Sequence, residues 1–289
     1  MMLAGLQKTT LVDFPGIVAA TVFTRGCSFR CGFCHNPELV IPEQFQGGLI
    51  PEEEFFNFLL SRVGKLQGVC ITGGEPLLQP DIEQFISHIK ALGFKVKLDT
   101  NGSFPDRLKK IIKEGDIDYI AMDIKSPIDK YQLVTNFQFP ISPPAEAWHR
   151  RAGNFQINSK IQNSKQIQNS KSKTDCHSRE GGNLLLVDHR LHGDDKMNKI
   201  EADIKESIDS IMSSGIDYEF RTTVCHPYHK VEDFKEIGKM IKGAKRYFIQ
   251  NFVQSKHINS KIKFKPFGDS EIKKAVQRVE KYVKKVDIR

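Results

Sequence analysis

Three cysteines stand within eight positions of one another, in Arg25-Gly26-Cys27-Ser28-Phe29-Arg30-Cys31-Gly32-Phe33-Cys34-His35-Asn36-Pro37. Thiolates spaced by three and then two intervening residues on one loop can wrap one face of a metal cluster. Structural zinc, a disulfide and inert thiols compete with that reading. Structural zinc wants four ligands, and His35, directly after Cys34, is too close to add a well-shaped fourth. Disulfides are rare where thiols are kept reduced. An iron–sulfur cubane usually takes four cysteines, so three would leave one iron open to a substrate or cofactor. The remaining cysteines, Cys70, Cys176 and Cys225, lie singly. Cys70 reads as core packing, Cys176 as an exposed thiol, and Cys225 as a thiol near the end of a strand.

Further polar groups follow other apolar runs. Ile71-Thr72-Gly73-Gly74-Glu75-Pro76 offers two glycines that let the backbone approach a ligand closely. Glu75 can accept from a cationic amine, and Pro76 stiffens the exit into a helix. Asp99-Thr100-Asn101-Gly102 reads either as an Asx-type turn with Gly at positive φ or as a carboxylate for ribose hydroxyls or a cation. In Met122-Asp123-Ile124-Lys125 a period of two puts Asp123 and Lys125 on one side. Facing inward, such charges are costly unless paired or ligand-bound. Arg221-Thr222-Thr223 and Gln250-Asn251 end two later runs, either as site groups or as edge satisfaction.

The elements that would position these groups alternate. Strands are expected at 17–24, 69–72, 95–99, 119–124, 218–224 and 246–252, with an edge strand at 286–288. Helices are expected at 51–63, 80–92, 105–114, 200–214, 231–242 and 270–285. Six strand–helix units argue a parallel sheet with helices outside it. Because eight units close a barrel, the fold class expected is α/β, a partial (β/α)6 TIM-like barrel; an open doubly wound sheet is the runner-up. In either, ligands bind at the C-terminal ends of the strands, where the three-cysteine loop and the polar groups that follow the apolar runs fall.

The chain has 289 residues and a formal net charge of +8, from 43 Lys and Arg against 35 Asp and Glu. No run approaches the roughly 20 apolar residues of a spanning helix, and six cysteines are too sparse for a disulfide scaffold. The first 16 residues contain Lys8, Asp13 and Pro15 in place of a signal peptide's apolar core, so the expected address is the cytoplasm. Residues 137–199 hold ten Lys and Arg against six Asp and Glu, half of the net charge. Asn-Ser-Lys recurs there at 158–160, 163–165 and 169–171. That stretch is too polar to offset a backbone entropy of roughly 1–2 kcal/mol per residue, so a low-complexity, disordered insertion is expected. It divides the barrel into an N-terminal part, 1–136, and a C-terminal part, 200–289. A second, shorter polar insertion is expected from about Ser255.

Cys-x3-Cys-x2-Cys followed by Gly-Gly-Glu-Pro resembles the radical S-adenosylmethionine (SAM) superfamily. Gly5-Leu6-Gln7-Lys8, Leu11-Val12-Asp13-Phe14-Pro15-Gly16, Cys34-His35-Asn36-Pro37-Glu38-Leu39, Leu98-Asp99-Thr100-Asn101-Gly102, Ala121-Met122-Asp123-Ile124-Lys125 and Tyr218-Glu219-Phe220-Arg221-Thr222-Thr223 resemble the anaerobic ribonucleoside-triphosphate reductase activating proteins, which are glycyl-radical-enzyme activases. The resemblance covers 1–136 and 200–254 and leaves out the insertion. It implies a [4Fe–4S] cluster on Cys27, Cys31 and Cys34 whose fourth iron takes SAM. Gly73, Gly74, Glu75 and Pro76 would line the methionyl amine. Asp99 and Lys125 would contact SAM, with a monovalent cation between Asp99 and Asp123. Arg221 and His229 would lie near the ribose, carboxylate or adenine, and Phe33 near the adenine. Reductive cleavage of SAM would give a 5′-deoxyadenosyl radical that takes a glycine α-hydrogen from a partner, the anaerobic reductase. The electron would come from an external donor such as flavodoxin or ferredoxin; neither a membrane nor a nucleic acid is an expected partner.

Two other functions fit the residues less fully. One is a radical SAM enzyme of the 7-carboxy-7-deazaguanine synthase kind, acting on a small molecule. The other is a non-catalytic metal-loop protein that binds nucleic acid through its basic surface.

Overall fold

The computed structural model describes residues 1–41, 44–136, 193–254, 258 and 262–289, with the side chains of 193–197 outside the description. The chain divides into two units, 1–140 with 190–289, and 141–189. Nearly all of the expected insertion, with Cys176, and most of the tract after Ser255 lie outside the described residues.

The strands are β1 (Leu3–Thr10), β2 (Ala19–Thr24), β3 (Gly68–Gly73), β4 (Lys95–Thr100), β5 (Tyr119–Asp123), β6 (Asp217–Val224), β7 (Tyr247–Asn251) and β8 (Val286–Ile288). They form one open sheet in sequence order, β1 through β8. From β2 to β8 every pairing is parallel, as strands joined by crossover helices require, while β1 pairs antiparallel with β2. The expected partial barrel is therefore present, with the edge strand at 286–288. The added β1 lacks both the apolar run and the alternation that mark a strand: its middle is half-buried Ala4, Gly5 and Leu6 followed by exposed Gln7, Lys8 and Thr9.

Between the strands run α1 (Pro37–Val40), α2 (Glu52–Leu60), α3 (Ile82–Ala91), α4 (Pro105–Glu114), α5 (Tyr131–Thr135), α6 (Gly193–Ser213), α7 (Asp233–Met240) and α8 (Asp269–Val279). Ile82, Phe85, Ile86 and Ile89 of α3 form a buried stripe, as do Ile200, Ile204, Ile208 and Ile211 of α6, both at the three-and-four spacing of a helix face. These stripes join one apolar layer with Val22, Val69, Ile71, Val96, Leu98, Ile120, Met122 and Phe220 of the strands. The alternate strand residues, including Cys70, Lys97, Asp99, Asp123, Glu219 and Arg221, share the opposite face, which lines the barrel.

Two helix limits differ most from expectation. α6 begins at Gly193, so the last residues of the 137–199 window are helical. α8 ends at Val279, where the chain must turn into β8. Tyr282 seats over Gly238 of α7, where an added Cβ would come within 2.5 Å of its ring.

Candidate active site at the strand ends

Three strand-end loops are knitted together by backbone. The loop after β2 carries Cys27, Cys31 and Cys34, all free thiols. The turn after β3 lies directly against it: Gly74 N–H donates to Thr24 O at 2.9 Å and Glu75 N–H to Gly26 O at 2.7 Å. A Cβ at Gly74 would sit 1.9 Å from Gly26 O, and Gly73, at φ +113°, would put one 2.4 Å from Thr24 N. The two glycines are thus required by the neighbouring loop, a closer demand than the ligand approach expected of them. Pro76 opens the 3-10 turn Pro76–Leu78 that leads into α3.

Glu75 is fully buried, and its carboxylate is occupied by its own chain. Oε1 accepts from Leu77 N–H at 3.1 Å and Thr100 Oγ1 at 2.8 Å; Oε2 accepts from Asn101 N–H at 2.7 Å. It bolts the β3 turn to the β4 turn. Burial outweighs these donors and lifts its carboxyl to about 7. At β4, Asn101 Oδ1 accepts from Ser103 N–H at 2.9 Å and Gly102 has φ +78°, the expected Asx-type turn.

Inside the barrel, charges alternate along a chain of five side chains. Lys97 pairs with Asp99, whose other oxygen takes Arg221 Nη1 at 3.2 Å. Arg221 Nε donates to Asp123 Oδ1 at 2.8 Å, and Lys125 Nζ to Asp123 Oδ2 at 2.9 Å. Burial alone would raise Asp123, but Arg221 and Lys125 hold its carboxyl well below the usual carboxylate range. Asp99 is likewise lowered, against its burial, by Arg221 and Lys97. Burial would lower Lys125, yet the Asp123 carboxylate keeps it above an ordinary lysine. Arg221 therefore occupies the space between Asp99 and Asp123 where the resemblance puts a monovalent cation.

Lys97 was absent from the sequence-based candidates, although the period of two that exposed Asp123 and Lys125 applies equally to Lys97 and Asp99. Cys70 is buried as expected but faces this polar interior, its Sγ 3.7 Å from Lys97 Nζ. Deeper on β6, Glu219 is 1% exposed. It accepts from Tyr119 Oη at 2.9 Å and from Arg289 through both terminal nitrogens, at 2.8 and 3.0 Å.

His229 and Phe33 meet beside the cysteine loop. Cys225 N–H donates to His229 Nδ1 at 3.2 Å, so Nε2 carries the proton and donates to Lys125 O at 2.7 Å. Burial lowers the imidazole's pKa and keeps it neutral. Lys125 N–H donates to Tyr131 Oη at 3.1 Å, which leaves the Lys125 backbone held on both sides. Both ring nitrogens of His229 are thus engaged, and the ring acts on Lys125. Phe33 packs edge-on against Tyr228 and His229, ring centroids 6.0 Å away in each case. Cys225 is buried in the same apolar cluster, with Cys31 packed against it. Gln250 and Asn251 are engaged within the fold: Thr223 donates to Gln250 at 3.4 Å, and Asn251 exchanges two hydrogen bonds with Phe267.

Cys27, Cys31 and Cys34 are free thiols on one loop, a donor set that a cubane can use with each cysteine on a different iron. Burial pushes Cys27 and Cys31 up to about 12, so ligation must displace their protons.

The comparisons agree with this geometry. The sequence pattern of the radical SAM superfamily matches residues 21–149. A Methanocaldococcus jannaschii protein provisionally named a glycyl-radical enzyme activating enzyme is 26% identical over 100% of this chain and 95% of its own length. The pyruvate formate-lyase-activating enzyme of Clostridium pasteurianum is 33% identical over 45% of this chain, which spans 55% of that enzyme. Among solved structures, TYW1 with a lysine-pyruvate adduct overlays with a TM-score of 0.52 at 14% identity, covering 94% of this chain and 76% of its own. Streptococcus suis SuiB gives 0.53 at 13%, covering 93% and 48%; at these identities the likeness is one of fold. Residues 21–149, which carry the three-cysteine loop, match the radical SAM domain, and the similarity along the whole chain supports an enzyme of that type.

Proposed function

We propose that the chain is an activase of a glycyl radical enzyme, and that the partner is an anaerobic ribonucleoside-triphosphate reductase. The observation that carries the reading is the joined set of strand-end loops bearing Cys27, Cys31 and Cys34, Gly73-Gly74-Glu75-Pro76 and Asp99-Thr100-Asn101-Gly102. The full-length similarity to the archaeal protein supports it. Cys27, Cys31 and Cys34 would hold the cluster. When bound, a [4Fe–4S] cluster with one open iron supplies the electron that breaks the sulfonium bond of SAM.

This chain's residues would do the rest by positioning and shielding. The backbone of Gly73 to Pro76 lines the methionyl end, while the Glu75 carboxylate keeps that turn in place. Lys125, Asp99 and Arg221 present charge toward the bound molecule, and Phe33 gives the adenine an apolar wall. His229 holds Lys125 in position. A radical-forming site must keep water out, and the partner's glycine must reach the strand ends. The reaction needs an external one-electron donor such as flavodoxin or ferredoxin and fits a cytoplasmic setting. No described helix is long and apolar enough to cross a membrane.

Anaerobic reconstitution should give a brown protein that forms 5′-deoxyadenosine from SAM under reduction, and Cys31→Ala should abolish both. Mixed with a candidate reductase, the wild type should raise a glycyl radical doublet by electron spin resonance. SAM cleavage without a doublet on any plausible partner would defeat the activase reading. A Cys31→Ala protein that keeps cluster and cleavage would defeat the radical SAM site assignment.

A further inference from the structure

Asn101 lies beside one of the three cysteines. Its Nδ2 is 3.6 Å from Cys27 Sγ and 3.1 Å from Ser28 Oγ, and the side chain is buried. The amide orientation follows from its neighbours: Oδ1 accepts from Ser103 N–H at 2.9 Å, and a flipped amide would set donor against donor there. The N–H groups therefore point at the sulfur and at Ser28, whose hydroxyl is in turn 2.7 Å from Ser103 Oγ. Phe29 N–H also points at Cys27 Sγ, at 3.4 Å. The Asn101 backbone is fixed by its bond to Glu75 Oε2. A continuous relay thus runs from the β3 turn through Glu75 and Asn101 to the cysteine loop.

From this relay we infer that Asn101 is a positioning residue for the iron–sulfur centre: its amide donates to the Cys27 sulfur and makes the cluster easier to reduce. The inference rests on Cys27 being a cluster ligand, as proposed above. Its physical basis is simple. A reduced cluster carries one more negative charge than an oxidised one, spread partly onto its cysteine sulfurs. A fixed N–H dipole aimed at such a sulfur stabilises the reduced state more, and hydrogen bonds to sulfur are among the levers that set cluster potentials. Because the donor sits in a turn held at Glu75, Ser28 and Ser103, the dipole is already oriented before an electron arrives.

Asn101→Asp keeps an acceptor for Ser103 N–H and replaces the donor with a negative oxygen. Asn101→Ala removes the donor without adding charge. Both are compared with wild type as reconstituted full-length protein, by iron content and by potentiometric titration followed by electron spin resonance. At equal iron content, the reduction equilibrium should fall about tenfold or more in Asn101→Asp, a shift of about 59 mV for one electron. It should fall by a smaller but resolvable factor in Asn101→Ala. Resonance Raman spectra of the oxidised clusters give a second reading that needs no reduction: the iron–Sγ stretch should rise in Asn101→Ala as the hydrogen bond is lost. A variant with full iron, an equilibrium within twofold of wild type and an unshifted stretch would overturn the inference. A wild type that takes up no cluster would instead defeat the proposed function, so the two failures are separable.

Discussion

Glu75 sets two effects of similar size against each other. Its carboxyl is displaced from an ordinary 4.5 to about 7, with burial outweighing three donors. At about 1.4 kcal/mol per pH unit, a carboxyl raised by this much makes the folded chain less stable by about 3 kcal/mol once ionised. The sign follows from proton counts. Between pH 4.5 and about 7 the folded state binds more protons than the unfolded state, so stability falls as pH rises through that window. Glu75→Gln stands in for the protonated acid. It keeps Oε1 for Leu77 and Thr100 and turns an amide toward Asn101 N–H, a mismatch of about 1–3 kcal/mol that the protonated acid shares.

The assay is urea unfolding of the cluster-free chain under argon, read by circular dichroism at pH 5 and pH 8. At pH 5 the variant should match wild type within about 1 kcal/mol. At pH 8 it should be the more stable by about 3 kcal/mol. Groups other than Glu75 titrate in both proteins and cancel in the difference. A difference that stays constant with pH, or a variant less stable at pH 8, would refute the reasoning. It would mean that the donors from Leu77, Thr100 and Asn101 outweigh burial and that the ionised carboxylate is the preferred form.

Three further outcomes follow from the geometry. Gly74→Ala should cost about 3 kcal/mol or more, since its Cβ meets backbone at Gly26; Gly48→Ala, which meets nothing within 4 Å, should be near neutral by thermal melting. Arg289→Met should cost about 2 kcal/mol, because it leaves the Glu219 carboxylate buried while the lost guanidinium was itself one-third exposed. Adding Glu219→Gln should recover part of that loss, and no recovery would exclude the ion pair as its cause. With the Arg221 guanidinium already between Asp99 and Asp123, wild-type SAM affinity by equilibrium dialysis should change less than twofold among sodium, potassium and choline chloride at constant ionic strength. In Arg221→Gln it should become cation-dependent; a saturable sodium or potassium requirement in wild type would show that a bound cation displaces the guanidinium.

The sheet was legible because its strands are buried and β-branched, and the helices because their apolar faces repeat at three and four. The polar strand-end groups stood out for the opposite reason: Cys27, Asp99 and Lys125 interrupt apolar runs where packing gives no cause for them. β1 was not legible, since an edge strand paired on one side needs no apolar alternation. The roles of Gly73, Gly74, Glu75 and His229 were only half legible. Each reads as a ligand-facing residue in the sequence, while its partners, Gly26, Asn101 and Lys125, lie in the loops after other strands. Lys97 could have been found by extending the period-two argument one residue pair back along β4.

Strand order follows chain order throughout this sheet, so β5 and β6, which flank the long polar tract in sequence, are neighbours. Closing a link costs only about 0.6 kcal/mol more for each doubling of its length. The β5–β6 junction is accordingly a permissive port. A reporter domain or affinity handle inserted there, or a short linker in place of residues 141–189, should leave the register of the strands on either side undisturbed.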